Sequence, residues 1–541
     1  MNSRALPNLC LFLACFISSG LLSIFQGQDC NWDLRNYHFY NAYAFLNDRL
    51  TYDIAPAQLQ SFHNPLLDVP FYLMMRRVPP VVYGFVVGGV QGINIWLVYR
   101  LAYLVLTGMS ERRRLVLSLA AGITGYLGAA NLSEIGTIFQ DNITSTFVLG
   151  ALLVVFSSID RDTDASKGQS RGAIIASGVL IGGATGLKLT NAIYALPFMI
   201  TFIVIEDSWK TRISHAFLSG LSICAGFIVT MGYWMTVLWR HFESPIFPYF
   251  NALFKSPYYE LSNLVDTTFF PRDIYQTLFY PFYFVKWQHF VSERGFRDIR
   301  LAVCYLLLLL LAFVVFYRGV LEAHGCVEVR EEMRDQKKVR QMALCTGVFF
   351  IPSYILWLKT FSIYRYIVPL ELLSPVLIII ILRYIFPFEK VLLRISLTTF
   401  ALIILTTSPL HWERLPWGES FFDVRIPNIQ NLAQATVVMA GDDPLAYVIP
   451  YFPAGTRFVR IQSNSYFWSR TLMQGPVSRI LSYGVSNMYF LWKEKSAHNV
   501  TFDDYMKTLS MYGLRPSLKE SRKVYTRLDD DLFLVPLKKI E

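Results

Sequence analysis

Residues 173–205 read AIIASGVLIGGATGLKLTNAIYALPFMITFIVI, an apolar-biased run interrupted by a single charge, Lys188. A helix that crosses a bilayer needs about 20 apolar residues, within a range of about 17–25. The run is long for one crossing and short for two, and the choice sets the sidedness of everything after it. Clear spans are predicted at 5–25, 81–106, 115–131, 142–158, 216–238, 301–317, 342–358, 367–383 and 391–408. Place Arg4 on the cytoplasmic side and let 173–205 form two short spans turning near Lys188. The cytoplasmic loops are then 109–114, 159–172, 206–215, 318–341 and 384–390. They hold Arg112, Arg113, Arg114, Arg161, Lys167, Arg171, Lys210, Arg212, Arg318, Arg330, Arg334, Lys337, Lys338, Arg340 and Lys390. A single span would send the basic 318–341 loop outside. Lys and Arg gather in cytoplasmic loops, so two spans are favoured, giving about eleven.

Composition agrees with lipid as the solvent. Hydrophobic residues are 54% of the 541 and charged ones only 16%, against about 25% charged in a soluble domain. Aromatics at 16% fit interfacial belts of Trp and Tyr. The net charge of +10 lies largely in short loops, where it reports topology and not nucleic-acid binding. The seven cysteines, Cys10, Cys15, Cys30, Cys224, Cys304, Cys326 and Cys345, show no metal spacing and no disulfide framework. The start MNSRALPNLCLFLACFISSGLLSI reads as a retained first span, because its apolar stretch exceeds a signal-peptide core and lacks a small-x-small cleavage site.

The predicted architecture is an α-helical polytopic membrane protein with extracytoplasmic loop helices and a small C-terminal α/β domain. A transmembrane domain covers 1–408, with outer loops at 26–80 and 239–300, and a tail domain covers 409–541. In the tail, ATVVMAG (435–441) and RFVRIQ (457–462) read as strands, with Asp442, Asp443 and Pro444 as a helix start between them.

Loop one, QDCNWDLRNYHFYNAYAFLNDRLTYDIAPAQLQSFHNPLLDVPFYLM, is dense in Asp, Tyr, His and Asn. Over 33–47 it has helical character. Asp33, Tyr37, Tyr40 and Ala44 share one face at i, i+4, i+7 and i+11, as in an amphipathic helix lying on a membrane. His38 lies on another face. Loop four contains FESPIFPYFNALFKSPYYELSN (242–263) and FVSERGFRDIR (290–300), which suggest an interfacial helix with Lys255, Glu293, Asp298 and Arg300 near substrate.

An Asp just after the first span, then YH..YNAYAFLNDRL, then NPLLDVPFY, resembles the GT-C glycosyltransferases. These include protein mannosyltransferases, the aminoarabinose transferase of lipid A, and oligosaccharyltransferases. FQDNITSTFVLGALLV (139–154), GVLIGGATGLKLTNAIYALP (178–197) and SIYRYIVPLELLSP (362–375) are similar to further segments of that superfamily, in the same order and over about residues 1–400. The resemblance implies a transferase that takes a sugar from a polyprenyl-phosphate donor to a lipid or glycan acceptor by single displacement with inversion. It implies that Asp33 is the base that deprotonates the acceptor hydroxyl. It matches Asp141 to an acidic position that in some members binds a divalent metal, magnesium or manganese. Here Asn142 follows and there is no DxD. Glu134 is a second acid of the same loop. Lys188 and Arg365 match basic positions facing the donor phosphate, and Tyr37, His38, Tyr40 and Lys255 are candidate substrate contacts.

The chemistry needs these residue types for its own reasons. Sugar transfer requires a base at the acceptor oxygen and cations at the leaving phosphate. Arg grips phosphate in a planar fork, and Lys supplies a point charge. Each residue also has a structural reading: Asp33 as a cap or a partner of Arg35, Asp141 as an N-cap, Lys188 snorkelling, Arg365 anchoring at the interface. Two other functions compete. A secondary transporter or lipid flippase would use the 173–205 pair as a broken helix, although no internal repeat accompanies it. A non-catalytic scaffold would tolerate replacement of the loop-one polar residues. The resemblance is closest to bacterial proteins, so a bacterial inner membrane is expected, with the N-terminus cytoplasmic and the tail extracytoplasmic. Sequons occur at Asn131, Asn142 and Asn499.

Overall fold

The computed structural model describes residues 5–161, 169–286, 288–323, 334–463, 471, 473–482, 487–495 and 501–540. Lys167, Arg330, Cys326 and Asn499 lie outside the described residues. Of the described residues 65% are helical, with a small sheet region near the C-terminus, and the chain divides into two compact units.

Unit one comprises Met1–Gln26, Gly84–Thr230 and Val265–Trp412. Among the described residues, seven helices of the chain are long and apolar enough to cross a membrane. They are Leu6–Gln26, Pro80–Val105, Asp141–Arg161, Trp209–Phe242, Arg300–Gly319, Gln336–Thr360 and Tyr364–Ile385. This is compatible with an integral membrane protein. The other four of the eleven predicted spans fall short by the same measure. Arg171–Leu187 and Leu189–Ile205 are shorter apolar helices. Glu111–Tyr126 has 16 residues. Glu389–Thr406 has 18 and carries Glu389, Lys390 and Arg394.

The break within 173–205 falls at Lys188. Helix Arg171–Leu187 stops there, Lys188 is extended (φ −146°, ψ 110°), and a 3₁₀ turn Leu189–Tyr194 leads into helix Ala195–Ile205. Small residues let Arg171–Leu187 pack closely on its neighbour. A Cβ at Gly182 would lie 1.9 Å from the Ile223 carbonyl oxygen, so only Gly allows that approach. The core of the unit is a single apolar cluster that includes Val98, Leu101, Leu149, Leu152, Phe198, Phe349, Leu373 and Ile378.

The predicted span 115–131 is interrupted. Helix Glu111–Tyr126 ends, and a separate turn of helix, Ala129–Ser133, begins after Gly128. Buried charges take up the freed backbone groups. The Arg300 guanidinium donates to the carbonyls of Thr124 (3.0 Å), Gly125 (3.3 Å) and Leu127 (3.2 Å). Asp298 accepts from the Ala129 amide (3.1 Å), and Glu371 accepts from those of Ala130 (3.0 Å) and Asn131 (2.8 Å). Orphan helix-end groups need such partners where water is absent.

Unit two comprises Gly27–Tyr83, Met231–Leu264 and Glu413–Glu541, so loop one and part of loop four pack with the tail. A short ladder joins β1 (Gln28–Asp29) to β2 (Arg414–Leu415). Among the described residues the main sheet has six strands: β3 (Thr436–Met439), β4 (Arg457–Arg460), β5 (Met488–Lys493), β6 (Leu514–Pro516), β7 (Arg522–Lys523) and β8 (Leu532–Lys539). β3 runs parallel to both β4 and β5, and β8 lies antiparallel to β5, β6 and β7. The two strands predicted in the tail are β3 and β4. Helix Phe502–Ser510 begins with a reciprocal capping box between Thr501 and Asp504.

Two local expectations are corrected. Asp442 and Asp443 do not start an α-helix: Gly441 turns the chain with φ +80°, and a 3₁₀ turn, Ala446–Tyr451, follows with no side-chain cap. The loop-one helix is not a surface helix. It runs as a π-helical turn, Leu34–His38, into helix Phe39–Leu46, and almost every side is buried within the unit. Its polar side chains are buried because each finds a partner. Asn36 donates to the Ala57 carbonyl (3.2 Å) and Asn41 to that of Gln60 (2.7 Å). The tail supplies further partners, with Ile54 bridging the outer edge of β4 through Phe458 and Arg460.

Candidate functional site

In unit one, a short turn connects helix Ala129–Ser133 to helix Asp141–Arg161. Gly136 (φ +76°) and Gln140 (φ +72°) bend it. Gln91 fastens it, accepting from the Gly136 amide (2.6 Å) and donating to the Thr137 carbonyl (3.0 Å). Asp141 opens the second helix, where the dipole favours a negative charge.

Two cations converge on Asp141 from distant parts of the chain. The break at residue 188 frees Lys188 from helical packing. Its Nζ lies 2.6 Å from Asp141 Oδ1 and donates to the Phe139 carbonyl at 2.7 Å. Arg365 comes from the 3₁₀ turn Tyr364–Ile367. It stands 3.8 Å from Asp141 Oδ2 and 3.4 Å from Glu293. At 3.8 Å this is an ion pair and not a hydrogen bond. The guanidinium lies over the rings of Phe139 (4.8 Å) and Tyr366 (5.0 Å). Lys188 and Arg365 keep only 13% and 12% of their side chains exposed, so most of each side chain is buried.

Glu134 lies in the same turn. It is 1% exposed, and neither carboxyl oxygen has a hydrogen-bond partner among the described residues. Burial, reinforced by Asp141, pushes its carboxyl well above the ordinary range, with Lys188 and Arg365 opposing. An uncharged carboxyl is what such a place can hold, since an unpaired buried carboxylate costs too much.

The two cations and the two acids that face them, Asp141 and Glu293, offset one another in charge. A hard divalent cation wants six or more oxygens, whereas Asp141 already faces two cations. Among the described residues no group of three or more His, Cys, Asp or Glu side chains is arranged to hold a metal.

Unit two holds Asp33, Tyr37, His38, Tyr40 and Lys255. Asp33 is buried and accepts from Tyr37 Oη at 3.0 Å. The Tyr37 ring packs on His38 (4.1 Å) and edge-on to His63 (5.1 Å). His38 Nδ1 lies 2.7 Å from Asp68 Oδ1, both groups buried, which makes a dyad that the sequence does not announce. Tyr40 donates to Asp53 at 2.9 Å, and Asp53 also binds Arg49. Arg35 lies toward Asp529 (3.6 Å) and Glu413 (3.7 Å). Lys255 is exposed, in a left-handed conformation (φ +56°) at the end of a four-residue helix. Asp298 and Arg300, grouped with loop four in the sequence, serve instead in the buried helix-end network of unit one.

Glu371 escaped the sequence reading because it sits in the apolar run 367–383. An acid inside such a run is itself a signal, and this one was available in SIYRYIVPLELLSP. The sequons Asn131 and Asn142 are fully buried. Asn131 donates to the Tyr126 carbonyl (2.7 Å) and Asn142 to that of Asn131 (2.9 Å). No protein-family model matches the chain, and no curated protein matches it significantly.

Proposed function

We propose that this chain is a membrane glycosyltransferase that moves a sugar from a polyprenyl-phosphate donor to an extracytoplasmic hydroxyl. One observation carries the reading most: Lys188 and Arg365, far apart in sequence, meet on one carboxylate in unit one. In this reading the donor phosphate takes the place near these cations that Asp141 partly fills. Asp33 removes the proton of the acceptor hydroxyl, whose oxygen attacks the anomeric carbon. The bond from that carbon to the phosphate oxygen breaks, and the electron pair leaves with the phosphate. Lys188 and Arg365 stabilise the charge as it develops. Tyr37, by donating to Asp33, holds the carboxylate in one orientation. The accompanying topology has about eleven spans in a bacterial inner membrane, a cytoplasmic N-terminus and an extracytoplasmic unit two.

The helix break at Lys188 also favours a transporter, because broken helices with charged ends build ion sites in that class. A transfer assay separates the two. Membranes with wild type or Asp33→Asn are given mixed radiolabelled polyprenyl-phosphate sugars with native lipid and glycan acceptors. The expected outcome is transfer by the wild type and a loss of roughly 10²-fold or more in the variant at equal protein level. Transfer that survives the substitution removes Asp33 as the base. Counterflow of a labelled solute without transfer sinks the enzyme reading.

A further inference from the structure

We propose that Glu371 is a positioning residue, a single buried carboxylate that ties the turn leading to Glu134 and Asp141 to the turn that carries Arg365. Both arms are direct. Oε1 accepts from the Asn131 amide at 2.8 Å and Oε2 from the Ala130 amide at 3.0 Å. Oε2 also accepts from Tyr364 Oη at 2.6 Å. Residue 364 precedes Arg365 in the same 3₁₀ turn. Ala130 and Asn131 lie in the helix that runs into Glu134.

The carboxylate has no freedom to move. It is fully buried. A Cβ at position 128 would lie 2.0 Å from Glu371 Oε1, so Gly128 is what lets the acid reach the backbone. The neighbouring Arg300–Asp298 pair (2.8 Å) fixes the other side of the break, with Asp298 holding the Ala129 amide and Arg300 Nη1 donating to the Glu371 carbonyl (3.3 Å). The Tyr364 ring is clamped against Phe296 (4.2 Å) and Phe284 (5.0 Å). Charge-assisted bonds of this kind are short and directional, and in a dry interior they hold two segments in one register. The spacing between Arg365 and Asp141 is therefore set by Glu371, although Glu371 touches neither. This rests on the donor-phosphate reading only where it gives the pair a ligand.

The test is hydrogen exchange on the full chain in lipid nanodiscs, with no ligand, comparing wild type, Tyr364→Phe and Glu371→Gln. Tyr364→Phe keeps the ring and removes only the hydroxyl. The expected result is exchange raised about tenfold in 129–134 as well as in 364–367, with the core segment 148–156 unchanged. Glu371→Gln should raise both segments at least as much. Exchange in 129–134 that stays at the wild-type rate in Tyr364→Phe overturns the coupling. A uniform rise that includes 148–156 overturns it too, since that is general loosening. Binding of farnesyl phosphate is then measured on the same proteins. Weaker binding by Tyr364→Phe, about tenfold, supports the positioning role. If the exchange result holds and no protein binds farnesyl phosphate, the coupling stands and the donor reading falls.

Discussion

Arg49 and Asp53 in unit two meet at 2.7 Å, and Lys188 and Asp141 in unit one meet at 2.6 Å. The lengths are nearly equal, but the surroundings are not. Arg49 donates twice to Asp53 and also to the carbonyls of Ala454 and Thr456 (2.6 Å each). Asp53 further accepts from Tyr40 and from the Phe458 amide (2.9 Å each). The whole pair is enclosed by fixed partners, and it joins loop one to the tail's sheet. Around Lys188 and Asp141 the partners are fewer: Lys188 also holds the Phe139 carbonyl at 2.7 Å, Arg365 stands off at 3.8 Å, and among the described residues neither carboxyl oxygen of Glu134 has a hydrogen-bond partner. A saturated buried pair is a strut. An unsaturated one has capacity left for a ligand or a proton.

The largest effect that could break this comparison is on stability. Asp53→Ala leaves Arg49 buried with its charge uncompensated, and the expected loss is about 3–5 kcal/mol, read as a lower denaturation midpoint in nanodiscs. A loss below about 1 kcal/mol would remove the distinction. Second in size is the pH response of Glu134. Its carboxyl is held well above the ordinary value near 4.5, by burial first and Asp141 second. The folded chain therefore keeps a proton that the unfolded chain gives up. The stability linked to that proton is complete below about pH 4.5 and is lost as pH rises through the folded value, by at most about 1.4 kcal/mol per pH unit. Glu134→Gln should flatten that part of the stability–pH curve, and a slope identical to wild type would contradict the assignment.

A third prediction concerns affinity. Asp141→Asn removes the charge that competes with an anion, so farnesyl phosphate should bind about tenfold more tightly, or about 1.4 kcal/mol. Asp53→Asn should create no such binding, because the Arg49 donors remain engaged with carbonyls. Weaker binding by Asp141→Asn would show that the acid orients the cations instead of competing with their ligand. The smallest effect is expected at the surface of unit two. Lys538 and Glu520 meet at 2.6 Å, yet each is 53% exposed. Lys538→Ala should change stability by less than about 1 kcal/mol, which sets the scale against which the buried pairs are judged.

Much of this was legible in the sequence where the signal is local or periodic. Apolar length gave the long helices, and Lys188, alone in its run, marked the break. ATVVMAG, read as a buried strand, and RFVRIQ, read as a second one, located β3 and β4. Asp141, Lys188 and Arg365 are nominated together by the resemblance to segments of a known superfamily, and Lys188 also by standing alone in an apolar stretch. What was not legible depends on contacts between distant segments. The face formed by Asp33, Tyr37 and Tyr40 suggested a helix on a membrane surface. That reading failed because Asp53, Asp68, Ala57 and Gln60 supply buried partners that no helical period reveals. Arg35 is drawn toward Asp529, near the other end of the chain. The break after Tyr126 is stabilised by Asp298, Arg300 and Glu371, and nothing in 115–131 itself foretells it.

The two buried sequons have a consequence for making the protein. In each, the side-chain nitrogen that would accept an oligosaccharide is the one that holds a backbone carbonyl, at Tyr126 for Asn131 and at Asn131 for Asn142. Modification and folding compete for the same atoms. In a host whose membrane insertion is coupled to N-glycosylation, molecules that reach the transferase before these segments close would be diverted from the native state. A sugar at either position would then be a covalent record of delayed folding, readable as a mass shift confined to the misassembled fraction.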